Sequence, residues 1–262
     1  MNSTLISRQE KISQAFDRAA KHYDQHADFQ RVVAVKLLEK LPIDMSGMRI
    51  LDVGSGTGFL SEHLIARGAD VVCLDLSEKM LKHSQSRLCK KKTSFVRSDA
   101  SCLPFVACSF DLVVSSLAIQ WCDNLRNVFA EFSRVLTPSG QAYFTSLLDG
   151  SLQELKDVWR KIDSAPHVNQ FTHLNTVKFA LAQAGCQTHQ IDSTPIIQWY
   201  RSSFALMKDL KGIGATFVEG RVSTPTSRRA FAQVESEYQQ YRSSSGLLPA
   251  TYHVLFGVFT ND

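Results

Sequence analysis

The stretch that decides the fold is Leu51-Asp52-Val53-Gly54-Ser55-Gly56-Thr57-Gly58. The apolar run MRILDV (48–53) leads into it, and the amphipathic segment FLSEHLIAR (59–67) leads out. A strand that ends in closely spaced glycines and hands over to a helix is a ligand-approach turn. Glycine lets the backbone come close to a bound group, and the helix N-terminus adds the positive end of its dipole. A dinucleotide fingerprint would place its third small residue at position 59, where this chain has Phe59. The pattern here is GxGxG, with Asp52 two residues before the first glycine.

Outward from that turn, short apolar runs alternate with amphipathic segments. DVVCLDL (70–76), SFVRSD (94–99), FDLVVSS (110–116) and QAYFTSLL (141–148) read as strands. Ser77 is placed to cap a helix running to Leu88, and Lys90-Lys91-Lys92 reads as a cationic cap at its end. Residues 124–136 read as a helix ended by Pro138-Ser139-Gly140. Strand and helix in this rhythm mean right-handed crossovers and a doubly wound, mostly parallel α/β sheet over residues 48–148. Residues 1–47 read as an N-terminal helical segment ended by Pro42. Residues 149–250 read as a helical cap, with a late strand near 187–200 interrupted at Pro195. Residues 251–262 carry a closing strand, TYHVLFGVF.

Composition agrees with one globular unit. The 262 residues are 44% hydrophobic and 21% charged, which excludes a disordered, collagen-like or coiled-coil chain. No apolar run approaches the length of a membrane span. Residues 1–30 lack the apolar core of a secretory signal, so a cytoplasmic protein with reduced cysteines is expected. No cysteine pair has zinc spacing, so no metal is expected. A net charge of +4 is too small to suggest a nucleic-acid partner. The excess of cations gathers in residues 201–230 as Arg201, Lys208, Lys211, Arg221, Arg228 and Arg229.

Three successive strand ends offer acids to one crevice. Asp75 ends the second strand, where an acid accepts hydrogen bonds from ribose hydroxyls. Asp99, in Ser98-Asp99-Ala100, ends the third, within reach of an adenine amino group. Asp52 lies beside the glycine loop. Together LDVGSGTG, LDLS and SDA resemble the class I S-adenosylmethionine-dependent methyltransferases. The resemblance implies S-adenosyl-L-methionine as methyl donor and S-adenosylhomocysteine as product. It implies contacts from Gly54, Ser55 and Gly56 to the methionine and ribose portion, and from Asp75 to the ribose. Leu76 and Ala100 would lie beside the adenine, Asp99 would meet its amino group, and Asp52 would stand near the ammonium. Ser115 and Ser116 would line the reacting centre.

FDRAAKHYDQHADFQ (16–30), SLAIQW (116–121), SLLDGSLQELKDVW (146–159), HVNQF (167–171), LMKDLKGIGAT (206–216) and the terminal TYHVLFGVF resemble the malonyl-acyl-carrier-protein O-methyltransferase family of biotin synthesis. That resemblance implies methylation of the free carboxylate of a malonyl thioester. The partner would be a malonyl-loaded acyl-carrier protein, or malonyl-coenzyme A, and a monomer is favoured. The departures from this pattern at 90–92 and 221–229 are of surface type. A malonyl carboxylate is already an anion at pH 7, so no general base is expected. Tyr23, His22, Gln120 and Trp121 are candidates for orienting it, His167 and Asn169 for meeting the carrier arm, and Arg18 and Arg31 for pairing with an acidic ligand. Arg201, Lys208 and Lys211 are candidates for docking the carrier. The competing readings are a methyltransferase of a small metabolite or quinone precursor, a nicotinamide oxidoreductase, and a non-catalytic donor-binding protein.

Overall fold

The structure, a computed structural model, describes residues 7–89, 93–220 and 227–261. The run Lys90–Lys92, Arg221 and the rest of 221–226 lie outside the described residues. The chain folds as α1 (Arg8–Ala19), a 3-10 turn (Tyr23–Gln25), α2 (Asp28–Leu38), β1 (Arg49–Val53), α3 (Phe59–Ala66), β2 (Asp70–Asp75), α4 (Glu78–Leu88), β3 (Thr93–Arg97) and β4 (Phe110–Ser115). After a second 3-10 turn (Ile119–Trp121) come α5 (Leu125–Val135), β5 (Leu136–Leu147), α6 (Gln153–Arg160), α7 (Leu174–Gln183), β6 (His189–Tyr200), α8 (Ser203–Gly212), α9 (Arg228–Tyr238) and β7 (Leu248–Thr260).

The seven strands form one sheet in the order β3-β2-β1-β4-β5-β7-β6. Pairing is parallel from β3 through β5, and β7 runs antiparallel to both its neighbours. Period-two alternation feeds two cores. Ile50, Val71 and Cys73 face α2, α3 and α4, whereas Leu51, Val72 and Leu74 face the layer containing α5 and α7. Among the described residues, no helix is long and apolar enough to cross a membrane.

Four elements differ from the sequence reading. The N-terminal helix breaks into α1 and α2 around the turn at Tyr23–Gln25. Asp24 in that turn accepts from Thr57 Oγ1 at 2.6 Å and pairs with Arg87, so tertiary bonds override helix propensity. Helix α5 ends at Val135, and Pro138-Ser139-Gly140 lie inside β5. Leu136 already pairs with Phe110. The extra residues are taken up by a register slip before Leu112, with Ser139 at φ 65°. Strand β6 runs unbroken through Pro195, because it is an edge strand and a missing N–H is tolerated there. Helix α7 packs on α5 through Val177, Ala180 and Leu181, so one helix of 149–250 belongs to the opposite layer from α6, α8 and α9.

Candidate active site

The strand order reverses between β1 and β4, and the crevice beyond their C-terminal ends is the ligand edge of an open α/β sheet. Gly54 sets how closely its walls approach. It holds φ +74°, and a Cβ there would stand 2.2 Å from the Ala118 Cβ in the loop after β4. Gly58, at φ +84°, forms the left-handed N-cap of α3, and its missing Cβ leaves room for Ser84 of α4. The glycines thus let two loops and a neighbouring helix converge on one point.

Three cavities meet at this edge. The first is walled by Gly54, Gly56, Asp75, Leu76, Asp99 and Ala100, with Ile12 and Phe16 of α1 opposite. The second lies on the other side of the glycine loop against Asp52, Ser55, Thr57, Gln30 and Arg31. The third is mostly apolar and extends between Phe29, Leu147, Leu152, Phe171, Leu210 and Tyr252. Among the described residues, Tyr23 alone borders all three.

The acids are set by backbone as much as by their own side chains. Asp75 Oδ2 accepts from Gly56 N at 2.9 Å and Oδ1 from Ser77 N at 2.7 Å. Burial nevertheless pushes Asp75 up to about 6, against those two N–H donors and helped by the Asp17 charge. Asp52 is 1% exposed, and its Oδ2 accepts from Ser61 Oγ at 2.5 Å. Burial pushes it up to about 7; the Ser61 bond opposes the rise and the Asp75 charge adds to it. Asp99 Oδ1 accepts from both N and Oγ of Ser101, at 2.7 and 2.6 Å, which fixes the carboxyl in a short turn. The Tyr23 hydroxyl is pushed up by burial, then by Asp75 and Asp24, so it remains a donor throughout the working pH range.

Helix α1 roofs the first cavity. Ser77 Oγ donates to Asp17 at 2.5 Å, Lys79 N donates to the same carboxylate at 3.1 Å, and Ser13 Oγ donates to Leu76 O at 3.1 Å. The arrangement fits S-adenosylmethionine. An acid stands at the end of β2 for a diol and another after β3 for an amine, with apolar walls between them for a flat base. A further buried acid, beside the unpartnered hydroxyl of Ser55, has the chemistry to suit a charged amino-acid terminus.

The structure brings Tyr23, Gln120, Trp121, Asp52, Gly54, Ser55, Gly56, Asp75, Leu76, Asp99 and Ala100 to these cavities. It does not bring His22 or Ser115. His22 is exposed at the start of the 3-10 turn, because that turn rolls Tyr23 inward and leaves its neighbour outside. Ser115 is fully buried, with Oγ donating to Val53 O at 2.9 Å; strand alternation gives the wall to Ser116 instead. Trp121 meets Phe16 edge-on at 5.4 Å. Arg18 is exposed. Arg31 lines the second cavity, but its guanidinium donates to Asp24 O and Asp28. His167 stacks on Trp159 at 3.5 Å and pairs with Asp163. Asn169 ties its loop to Phe217 O at 2.7 Å. Arg201, Lys208 and Lys211 are exposed on and before α8, away from the cavities.

The sequence reading missed Gln30, which carried no signal beyond a polar residue on an amphipathic helix. It also missed the role of Leu117, whose backbone holds φ 51° between the first and third cavities while its N–H donates to Thr145 Oγ1 at 2.9 Å.

Residues 51–144 match the family described as Methyltransferase domain. The chain is 38% identical to malonyl-acyl-carrier-protein O-methyltransferase of Enterobacter lignolyticus, over 96% of this chain and 97% of that protein. It is 37% identical to the biotin biosynthesis bifunctional protein BioHC of Cellvibrio japonicus, over 94% of this chain but only 49% of that longer protein. Its fold is similar to that of the YcgJ protein from Bacillus subtilis, with a TM-score of 0.64, 13% identity, and coverage of 88% of this chain and 98% of that one. Near end-to-end similarity at this level of identity, reaching through the cap as well as the glycine loop, means that the chain belongs to the malonyl-acyl-carrier-protein O-methyltransferase family.

Proposed function

We propose that the chain transfers the methyl group of S-adenosylmethionine to the free carboxylate of a malonyl group carried on acyl-carrier protein, the step that disguises the acyl unit at the start of biotin synthesis. The observation that carries this reading is the junction at Tyr23. There the donor cavities share a wall with an apolar chamber of a kind that suits a small acyl group. When bound, the donor supplies an electrophilic methyl on sulfonium. The protein's part is to hold, orient and dry the site.

Asp75, with Gly56 and Ser77 behind it, holds the ribose, and Asp99 and Ala100 hold the base. Asp52 and Ser55 hold the amino-acid terminus. Tyr23 presents its ring and hydroxyl at the junction, where an aromatic face favours a neighbouring cation. Phe29 stacks on Tyr252 at 3.9 Å and forms part of the chamber's apolar wall. No side chain is required as a base, because the nucleophile arrives ionised. Residues 7–47 close over the donor, and the acceptor chamber is lined jointly by this segment, by the loop after β4 and by residues of the cap.

Carrier docking belongs to α8. Lys208 and Lys211 lie on its exposed side, Phe204 one turn earlier is 47% exposed, and Arg201 precedes the helix. The opposite side of α8 buries Leu206 and sends Leu210 into the acceptor chamber. One helix therefore offers an acidic partner a basic, aromatic surface while walling the chamber that the arm must reach. A cytoplasmic monomer completes the reading.

The test is transfer of labelled methyl to malonyl-carrier protein, malonyl-coenzyme A and free malonate. Ester formation on the thioesters, fastest on the carrier, is expected. Label on none of them, or on free malonate alone, overturns the reading.

A further inference from the structure

Gln30 stands where the acceptor chamber meets the cavity beside Asp52 and Ser55, and its Oε1 is buried without a hydrogen-bond partner. A buried amide with an unused polar end is costly unless something completes it. Half a turn of the side-chain amide places its N–H2 where the orphaned oxygen lies, so the position serves an acceptor as readily as a donor.

The charge of the surroundings narrows what that partner is. Among the described residues, no lysine or arginine lines the acceptor chamber. Arg31 is on the Asp52 side and is engaged by Asp24 O and Asp28, and Arg8, in an outer groove, donates to Trp121 O and pairs with Asp123. Lys156 lies in an outer groove, 5.0 Å over the Phe171 ring. His167, at the chamber wall, pairs with Asp163. An acyl carboxylate beside Gln30 in this chamber finds no lysine or arginine among the described residues of the lining.

Resting on the malonyl reading above, we infer that Gln30 orients the acceptor carboxylate toward the donor methyl through a neutral amide hydrogen bond. The reaction makes this choice of group advantageous. The carboxylate oxygen forms the new C–O bond as the methyl–sulfur bond breaks; those electrons stay on sulfur, and no proton moves. The carboxylate loses its charge along the way. A full ion pair would stabilise the starting anion more than the transition state and slow the step. A neutral donor gives direction with less of that penalty.

Gln120 supplies an internal contrast. Its Oε1 is also buried and unpartnered, but it lies between the acceptor chamber and an outer groove lined by Arg8, Val218 and Glu219, away from the donor cavities. It is placed to meet the thioester or the arm rather than the reacting carboxylate.

The experiment measures kcat, KM and donor affinity for Gln30→Met, Gln30→Glu and Gln120→Met, using malonyl-coenzyme A as acceptor and its methyl ester as a neutral competitor. Gln30→Met is expected to lower kcat at least tenfold, about 1.4 kcal/mol in barrier, with donor affinity within twofold of wild type. Its affinity for the methyl ester should be unchanged while that for the malonyl form falls. Gln30→Glu should lose more than Gln30→Met, because a second carboxylate repels the first. Gln120→Met should raise KM and keep kcat. Equal loss of donor, malonyl and ester affinity in Gln30→Met would assign Gln30 a packing role and overturn the inference, as would a Gln30→Glu enzyme as fast as wild type. A wild-type enzyme inactive on every malonyl thioester would overturn the functional reading itself, whereas an active wild type with indifferent Gln30 variants overturns this inference alone.

Discussion

The proposed donor half and the proposed acceptor half of the cleft are built from different materials. Around the donor, position is set by main chain: Gly54 at φ +74°, Gly56 N and Ser77 N on Asp75, and Asp99 folded onto Ser101. Around the acceptor, position is set by side chains from α1, the Tyr23 turn, α2, the loop after β4, the end of β5, Leu152, the 167–171 loop, α8 and the turn after it, and β7. The first kind of site tolerates little change in backbone geometry. The second is open to change residue by residue, provided that its volume and apolar character persist. The difference teaches where a family of this fold keeps its donor and where it varies its substrate.

Substitutions can break that contrast, and the largest effect is expected at the glycine loop. Gly54→Ala forces a non-glycine residue into a left-handed backbone and a Cβ to 2.2 Å from Ala118. Strain of about 1–3 kcal/mol from the backbone alone, with the clash added, should abolish measurable donor binding in calorimetry and lower the melting temperature. A protein that still bound the donor normally would show that the loops yield more easily than their contact implies. Next comes Asp75→Ala, which leaves ribose hydroxyls and the Gly56 N–H without their acceptor. Donor affinity should fall by roughly 1–3 kcal/mol, or one to two decades, with little change in acceptor KM once donor is saturating.

The acids also sharpen the comparison through pH. Asp52 is held at about 7 in the folded chain against 3.8 ordinarily, and Asp75 at about 6. Between those values the folded state keeps protons that the unfolded state has released. Stability of the donor-free protein should therefore be greatest below about pH 4 as far as these two groups are concerned, and fall as pH rises through 6 and 7. A donor with a cationic terminus and ribose hydroxyls prefers both carboxylates ionised. Its affinity should climb from pH 5.5 to 7.5 and then level, with protons released on binding. Calorimetry in two buffers of different ionisation enthalpy reads this release, and Asp52→Asn should remove most of the slope. At saturating donor, methyl transfer should stay flat from about pH 6 to 8, since a nucleophile that arrives ionised needs no base. A rise in that plateau centred near 7 would place a titrating group in the chemistry.

The smallest effect is expected at the docking surface. Lys208→Glu with Lys211→Glu should raise the KM for malonyl-carrier protein severalfold and leave malonyl-coenzyme A nearly unaffected. The carrier's advantage should also shrink with salt, because such attraction is screened beyond roughly 8 Å. Equal losses on both acceptors would move the lysines from docking to the fold of α8.

The contrast also explains what could be read before any coordinates. Asp52, Gly54, Gly56, Asp75 and Asp99 announce themselves because each sits within three residues of a strand end, so local spacing carries their geometry. Ser115 misled because strand alternation, not proximity to the strand end, decides which of two adjacent serines meets the cleft. His22 misled because a 3-10 turn, held by Asp24 through Thr57 and Arg87, sets which of two neighbours points inward, and those bonds span distant segments. Gln30 was silent for the same reason. Its significance is an unsatisfied atom in a chamber assembled from segments far apart in the chain.

The place of β7 bears on how the protein is made. This strand follows β5 and β6 in sequence yet lies between them, paired with Gln141–Leu147 on one side and His189–Tyr200 on the other. Gly257 lets it settle against the Phe144 ring, where a Cβ would approach to 2.3 Å. During synthesis the parallel strands can assemble early, but β5 keeps an open hydrogen-bonding edge, and β6 has nowhere to pair, until β7 has left the ribosome. A nascent chain stalled shortly before residue 248 would carry a finished donor site beside an unprotected sheet edge. Quality control that recognises exposed strands should capture that species and ignore the completed chain.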